Sequence, residues 1–315
     1  MKNILIIFDQ EGCIGVSPSF STTLNKYYYM RQCEITLELI LQQFSSDTVC
    51  LYLVDSHCNG DTLFPLVKFY DNITFVSMPW NIDFNIPYEF AIILGFHGKS
   101  NSNDPLAHSF RPEIKSVQIS SVEVGEITCF IEYMHANNVP VQFVSGTDFI
   151  QDELLPTNIP FFLHSPLKCK THDDILILYT RYRTALKKAL NSASESDINY
   201  QDTPINIFFY KYDFTRYIDC NSNFISYINI NELFTNFYSL SQIINKYNND
   251  FQQKLNYIRK IYSIDANYFC DFSDIITKEF KYVTQSDLDT LINAIKYNNK
   301  EHSYNSEIIP IEKLK

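Results

Sequence analysis

The sequence predicts an α/β fold: a mainly parallel sheet with helices on both faces, followed by a smaller α+β domain and a helical C-terminal tail. Short apolar runs recur through the first half of the chain, and segments with helical spacing alternate with them. The composition, 45% hydrophobic and 19% charged over 315 residues, is that of a globular protein. Strands that alternate with helices indicate parallel βαβ units.

Six apolar runs predict buried strands, because nearly continuous hydrophobicity suits a sheet that is covered on both faces. They are residues 4–8, 49–54, 73–78, 90–94, 116–120 and 141–145. Residues 25–44 and 124–139 have helical spacing, and the second segment stops at Pro140. We therefore predict one α/β domain over residues 1–150.

The pattern changes after residue 150. Prolines make residues 148–170 irregular, and the polar stretch NSASESDINYQDTP indicates a linker. The elements predicted in this part are a helix at 172–193, strands at 205–212 and 224–230, and a helix at 232–250. We predict a smaller α+β domain over 151–250 and a helical extension over 251–315.

Charge and cysteine usage narrow the classes of function. The net charge of −11 argues against a nucleic-acid partner, and no apolar run approaches the roughly 20 residues that span a bilayer. The eight cysteines are scattered without paired short spacing, which argues against a zinc ribbon or a CxxC redox site. The N-terminus lacks signal-peptide features, so we predict a cytoplasmic protein with reduced thiols.

Potential metal ligands follow three of the predicted strands. Asp9 and Glu11 come directly after the first strand, and Asp55 and His57 after the second. His97 follows the fourth, in AIILGFHG. Because ligands bind outside the carboxyl ends of parallel strands, we expect these side chains to lie close together.

Two further candidates come later: His108 in the polar loop NSNDPLAHSF, and Glu126 at a predicted helix start. Taken singly, each candidate has an ordinary alternative as a turn, a helix cap or a solvated loop residue. Carboxylate and imidazole ligands together suit zinc or manganese. Three carboxylates in one cleft repel one another unless cations compensate, which favours two divalent ions with one bridging carboxylate.

These residues lie in short motifs, which in chain order are FDQEG with Asp9 and Glu11, DSH with His57, GFH with His97, AHSF with His108 and VGE with Glu126. In the order and spacing of these motifs the sequence resembles the DppA-type D-aminopeptidase family of zinc peptidases, over about residues 1–150. The resemblance implies a cytosolic homo-oligomer that hydrolyses short peptides with an N-terminal D-amino acid.

The resemblance also implies a role for each residue. Asp9 would bridge two zinc ions, with Glu11 and His97 completing one site. His57 and Glu126 would complete the other site. His108 would be the catalytic histidine, which the family description makes a nucleophile; a proton shuttle or an oxyanion-stabilising group is equally consistent with its chemistry.

Three functions stay open at this stage. The first is a dinuclear zinc amide hydrolase, with manganese as the alternative metal, acting on short peptides. The second is a divergent member that hydrolyses or transfers an acyl group on a specialised small molecule in a biosynthetic pathway. The third is a non-catalytic oligomeric scaffold that retains its metal.

Overall fold

The computed structural model describes residues 1–18, 21–45, 48–57, 60–168, 171–192, 202–209 and 224–261. The strands are β1 Lys2–Phe8, β2 Val49–Asp55, β3 Ile73–Val76, β4 Tyr88–Phe96, β5 Ile114–Ile119, β6 Val122–Val124, β7 Val141–Thr147, β8 Phe161–His164, β9 Ile205–Phe209 and β10 Phe224–Tyr227. The helices are α1 Thr22–Gln43, α2 Phe64–Val67, α3 Glu126–Ala136, α4 Gln151–Leu154, α5 His172–Leu190 and α6 Ile230–Ile261.

Six strands form a parallel sheet in the order β3-β2-β1-β4-β7-β8. β1 and β4 occupy its centre, and residues 4–8 of β1 are fully buried. A strand covered on both faces has no solvent side on which to place polar residues, which explains its unbroken apolar run. The predicted fold class is confirmed.

Helices cover the two faces of this sheet. On one face α1 and α5 pack together, and Ile4, Ile6 and Phe8 share a core with Tyr29 and Tyr182. α3 lies against β4 and β7 on the other face. Side chains of a strand alternate between faces, so β1 contributes to both cores.

Side-chain caps fix the starts of the two helices that pack together. The Ser21 side chain accepts a hydrogen bond from the Leu24 N–H at the start of α1. At the start of α5, Thr171 and Asp174 form a reciprocal capping box. Such caps satisfy backbone N–H groups that the helix itself leaves unpaired.

The second sheet has the order β10-β9-β5-β6. β5 and β6 form an antiparallel hairpin, and its two turn residues, Ser120 and Ser121, have φ of 49° and 67°. Positive φ at both positions is typical of a type I′ turn, one of the two favoured two-residue hairpin turns. Of the predicted strand 116–120, residues 116–119 are therefore strand and Ser120 is a turn residue, and the strand lies in this second sheet and not in the parallel one.

The sequence analysis missed two strands: β6, which has only three residues, and β8, which extends the parallel sheet. β8 pairs with β7 in parallel register, from Val144↔Phe161 to Thr147↔His164. Only four residues long and close to Pro160 and Pro166, it gives too weak a pattern to separate from a loop. The large sheet thus extends past residue 150, while the division of the chain at 150 and 250 stays a prediction.

Contacts between Cα atoms divide the chain into two compact units: residues 1–208 with 225–238, and residues 209–224 with 239–315. The described part of the second unit is the last residue of β9, the first of β10, and α6 from Ser239 onward. Most of the predicted linker, and the predicted extension beyond residue 261, lie outside the described residues. Among the described helices, none combines the length and the hydrophobicity needed to cross a membrane.

Candidate metal centre

The topology of the sheet brings the predicted ligands to one edge. β1 is paired in parallel with β2 on one side and with β4 on the other, with Phe8 opposite Asp55 and Leu94. The residues that follow these strands therefore leave the sheet side by side. The loop after β4 returns His108 to the same edge, and Glu126 is the first residue of α3.

Asp9, Glu11 and His57 form the first ligand group, with one ligand atom from each residue within 4.8 Å of the others. His57 Nδ1 lies 2.8 Å from Glu11 Oε2 and 3.8 Å from Asp9 Oδ1. A single ion between these atoms would meet two carboxylates and one imidazole, which are ligand types that zinc accepts.

His97, His108 and Glu126 form the second ligand group, under the same 4.8 Å limit. Glu126 Oε1 lies 3.6 Å from His97 Nε2 and 3.9 Å from His108 Nε2. The two imidazole rings are stacked, with centroids 4.2 Å apart. Both rings present the Nε2 atom to the same carboxylate.

Asp9 joins the two groups. Its Oδ1 faces His57, whereas its Oδ2 lies 3.5 Å from His97 Nε2. All six predicted site residues are thus brought together. Their grouping differs from the pairing that the resemblance implies, because Glu11 lies with His57 rather than with His97.

Burial makes this cluster electrostatically costly without cations. Burial, and then the neighbouring charge of Glu11, hold the pKa of Asp9 well above its usual value. Burial likewise raises the pKa of Glu126 to about 8, against the hydrogen bond from the Phe110 N–H. Burial would also raise the pKa of Glu11, but the hydrogen bond from His57 and the charges of the histidines outweigh it, so this pKa is lowered.

The donor set fits divalent cations. Among the described residues, none offers a hydrogen-bond partner to Asp9 Oδ2 or to His97 Nε2, although both atoms are buried and face each other. Burial, and then the charge of His108, lower the pKa of His97 to about 4, so its imidazole is neutral and able to ligate. Buried polar atoms without partners are rare in native proteins, and an ion between these two would satisfy both.

Glycine permits the close approach of β1 and β4 that the centre needs. Gly95 has φ of 78°, and a Cβ atom at this position would lie 2.0 Å from the Asp9 carbonyl oxygen. The Gly12 N–H donates to the Gly95 carbonyl at 2.7 Å. A side chain at Gly95 would force the backbone of Asp9 away from His97.

The structure also shows supporting residues that the sequence analysis did not single out. Tyr29 donates its hydroxyl to Asp55 Oδ1 at 2.7 Å, and the same carboxylate accepts from the backbone N–H groups of His57 and Leu63. The Glu153 carboxylate accepts from the Gly125 N–H, directly before Glu126. The bonds from Tyr29 to Asp55 and from Gly125 to Glu153 join segments 26 and 28 residues apart in the chain, so no local motif predicts them.

Phe110 is a further residue of this kind. Its φ of 60° lies in the left-handed region that a bulky side chain rarely adopts, and its N–H donates to Glu126 Oε1 at 2.6 Å. Its ring packs on Phe130, Phe234 and Phe237. The aromatic contacts hold the strained backbone that orients the carboxylate of Glu126.

Three carboxylates, two of them buried, and three imidazoles at the carboxyl edge of a parallel sheet are the ligand chemistry of metal-dependent hydrolases. Comparison with known families identifies the class of hydrolase to which the chain belongs. A family model described as peptidase M55, D-aminopeptidase, matches residues 1–196. The chain belongs to this peptidase family, as its motifs predicted.

Among solved structures, the fold is similar to the Zn-dependent D-aminopeptidase DppA from Bacillus subtilis, described as a self-compartmentalizing protease. The match has a TM-score of 0.58 at 16% sequence identity and covers 77% of this chain and 97% of that one. At this identity the likeness shows the shared fold alone. A comparison with curated proteins gives no match.

Proposed function

We propose that this chain is a dinuclear metal-dependent aminopeptidase acting on short peptides with an N-terminal D-amino acid. Family membership supports peptide hydrolysis. The position of Asp9 is the main support for two metal ions, because one of its carboxylate oxygens faces each of the two ligand groups. Zinc, which the solved relative uses, would supply Lewis-acid activation of a water molecule and of the scissile carbonyl.

In this proposal Asp9 is the shared ligand, Glu11 and His57 hold one ion, and His97 and Glu126 hold the other. We infer this pairing from the distances and prefer it to the one that the resemblance implies. His108 handles a proton at Nε2, since its Nδ1 atom is engaged with the Leu106 carbonyl at 2.9 Å. The partly exposed ring of His108 is able to meet a substrate.

Elemental analysis of protein purified without chelator tests the metal content. We expect about two zinc or manganese ions per chain, and a loss of most bound metal in Asp9→Asn. Asp173→Asn, an exposed acid at the start of α5, is the matched control and should keep both ions. Absence of metal uptake on addition of zinc would refute the metal centre.

Assays on D- and L-aminoacyl dipeptides test the substrate class. We expect preference for the D-residue, and loss of turnover with retained metal in His108→Ala. His172→Ala, an exposed histidine, should retain activity. Loss of one ion in His108→Ala would make His108 a ligand instead, and bound metal with no turnover of any peptide would favour acyl transfer or a scaffold.

We also propose that the chain forms a homo-oligomer in the cytoplasm. The solved relative of the same fold is described as self-compartmentalizing. Light scattering coupled to size-exclusion chromatography tests the assembly, and a mass of 36.9 kDa, that of one chain, would contradict it.

A further inference from the structure

One buried carboxylate lies behind both of the stacked imidazoles. Asp104 is 6% exposed and stands in the loop between His97 and His108. Its carboxylate accepts three hydrogen bonds: from the Gly98 N–H at 2.8 Å, from the Leu106 N–H at 3.0 Å and from the Thr147 hydroxyl at 2.7 Å. It therefore connects the loop to the ends of β4 and β7.

The same two backbone residues hold the imidazoles. His97 Nδ1 lies 3.0 Å from the Gly98 carbonyl oxygen, and His108 Nδ1 lies 2.9 Å from the Leu106 carbonyl oxygen. A carbonyl oxygen only accepts, so each Nδ1 atom carries the proton in these bonds. Each Nε2 atom is then left with its lone pair, on the side that faces Glu126.

We propose that Asp104 is a positioning residue that holds both His97 and His108 in the tautomer protonated on Nδ1. By fixing the backbone of Gly98 and Leu106, it fixes the two carbonyl oxygens that receive the imidazole protons. That these imidazoles then serve a metal and a proton transfer rests on the proposed function. Their tautomer and orientation do not depend on it.

A carboxylate is the suitable group for this position because it offers two acceptor oxygens and no donor. An asparagine offers one acceptor oxygen and turns an N–H₂ group toward one of the two backbone N–H groups. Asp104→Asn therefore loses at least one of the two anchors while it keeps the size of the side chain. Asp104 also forms a local turn with Leu106, so the test must separate positioning from turn formation.

Long-range ¹H–¹⁵N spectra of the metal-free protein, labelled with ¹⁵N-histidine, report the tautomer of each imidazole directly. We expect Nδ1–H at His97 and His108 in the wild type, with the signals assigned from His97→Gln and His108→Gln. In Asp104→Asn, loss of a charge-assisted bond should raise the other tautomer about tenfold at one or both residues. Signals of the exposed His172 should not move.

Two further variants serve as controls. Asp174→Asn alters another aspartate that accepts a backbone N–H, in the cap of α5, and should leave His97 and His108 unchanged. Thr147→Val removes the third donor but keeps both backbone anchors, and should also preserve the tautomers. A shift in Thr147→Val as large as in Asp104→Asn would overturn the proposal.

The wild type alone is sufficient to refute the proposal, even where Asp104→Asn does not fold. A proton on Nε2 of either His97 or His108 in the metal-free wild type would overturn it. So would unchanged imidazole signals in a folded Asp104→Asn variant. None of these readouts uses metal content or peptide turnover, so failure of the proposed function would be seen separately.

Discussion

Replacing Tyr29 by phenylalanine tests how the loop that carries His57 is held. Tyr29 and Asp55 are both fully buried, and the hydroxyl donates to Asp55 Oδ1 at 2.7 Å. A hydrogen bond to a charged group contributes about 1.5–3 kcal/mol to stability. Asp55 keeps the N–H groups of His57 and Leu63, so we expect Tyr29→Phe to lower the free energy of unfolding by about 2 kcal/mol.

Tyr182→Phe is the matched control. Its hydroxyl is equally buried on the same face of the sheet, but its partner at 2.7 Å is the neutral hydroxyl of Thr36. A bond between neutral groups contributes about 1 kcal/mol, roughly half the expected loss at Tyr29. The difference between the two variants isolates the charge of Asp55 from the loss of a buried hydroxyl.

Urea unfolding at pH 7 with a chelator present measures both variants without a contribution from bound metal. Trp80, the single tryptophan of the chain, reports on the first unit through its contact with Phe237. Circular dichroism in the far ultraviolet provides an independent probe. Equal losses in Tyr29→Phe and Tyr182→Phe, or no loss in Tyr29→Phe, would refute the view that an ionised Asp55 anchors this loop.

Three further predictions concern the surroundings of the centre. Gly95→Ala should lower both the melting temperature and the zinc content, because its Cβ atom would lie 2.0 Å from the Asp9 carbonyl oxygen; unchanged zinc content would contradict this. Glu153→Ala should cost about 1 kcal/mol and weaken zinc binding, since Glu153 accepts from Gly125 at the start of the helix that carries Glu126, whereas Glu153→Gln keeps an acceptor and should lose less by the same thermal and metal assays. Burial lowers the pKa of His164 from 6.5 to about 4, so unfolding takes up a proton and stability should fall by about 3 kcal/mol as the pH drops through this window. His164→Leu should flatten the dependence of the melting temperature on pH, and an unaltered slope would show that His164 is not the responsible group.

Much of the fold was predictable because the strongest patterns lie where burial is complete. Residues 4–8 of β1 and 90–94 of β4 are buried on both faces of the sheet, so these runs are apolar without interruption and predict strands clearly. β8 was missed because four residues between prolines carry little pattern. Residues 116–120 were assigned to the wrong sheet, since a single sequence shows that a segment is a strand but not which strand it pairs with.

The expectation that the predicted site residues lie close together came from their positions after parallel strands, and no single residue indicated it. Asp9, His57 and His97 each follow a predicted strand, and the carboxyl ends of parallel strands lie at one edge of the sheet, where ligands bind. The observed strand order places these three strands side by side. By contrast, Tyr29, Asp104 and Glu153 each form a side-chain hydrogen bond with a partner between 25 and 43 residues away in the chain. Nothing in their local sequence distinguishes them from ordinary polar residues.

The sequence predicts which residues are ligands but not how they are grouped. The grouping depends on how the chain turns after β1. Asp9 and Glu11 are two residues apart, and either carboxylate is able to face His57 or His97 until the turn is fixed. The hydrogen bond from Gly12 to Gly95 and the close approach of Gly95 to Asp9 fix that turn. They direct Glu11 toward His57 and leave Asp9 between the two histidines. A motif match gives the residue types and their order. Which ligands share an ion depends instead on backbone contacts between segments about 85 residues apart in the chain, and local sequence patterns do not predict such contacts.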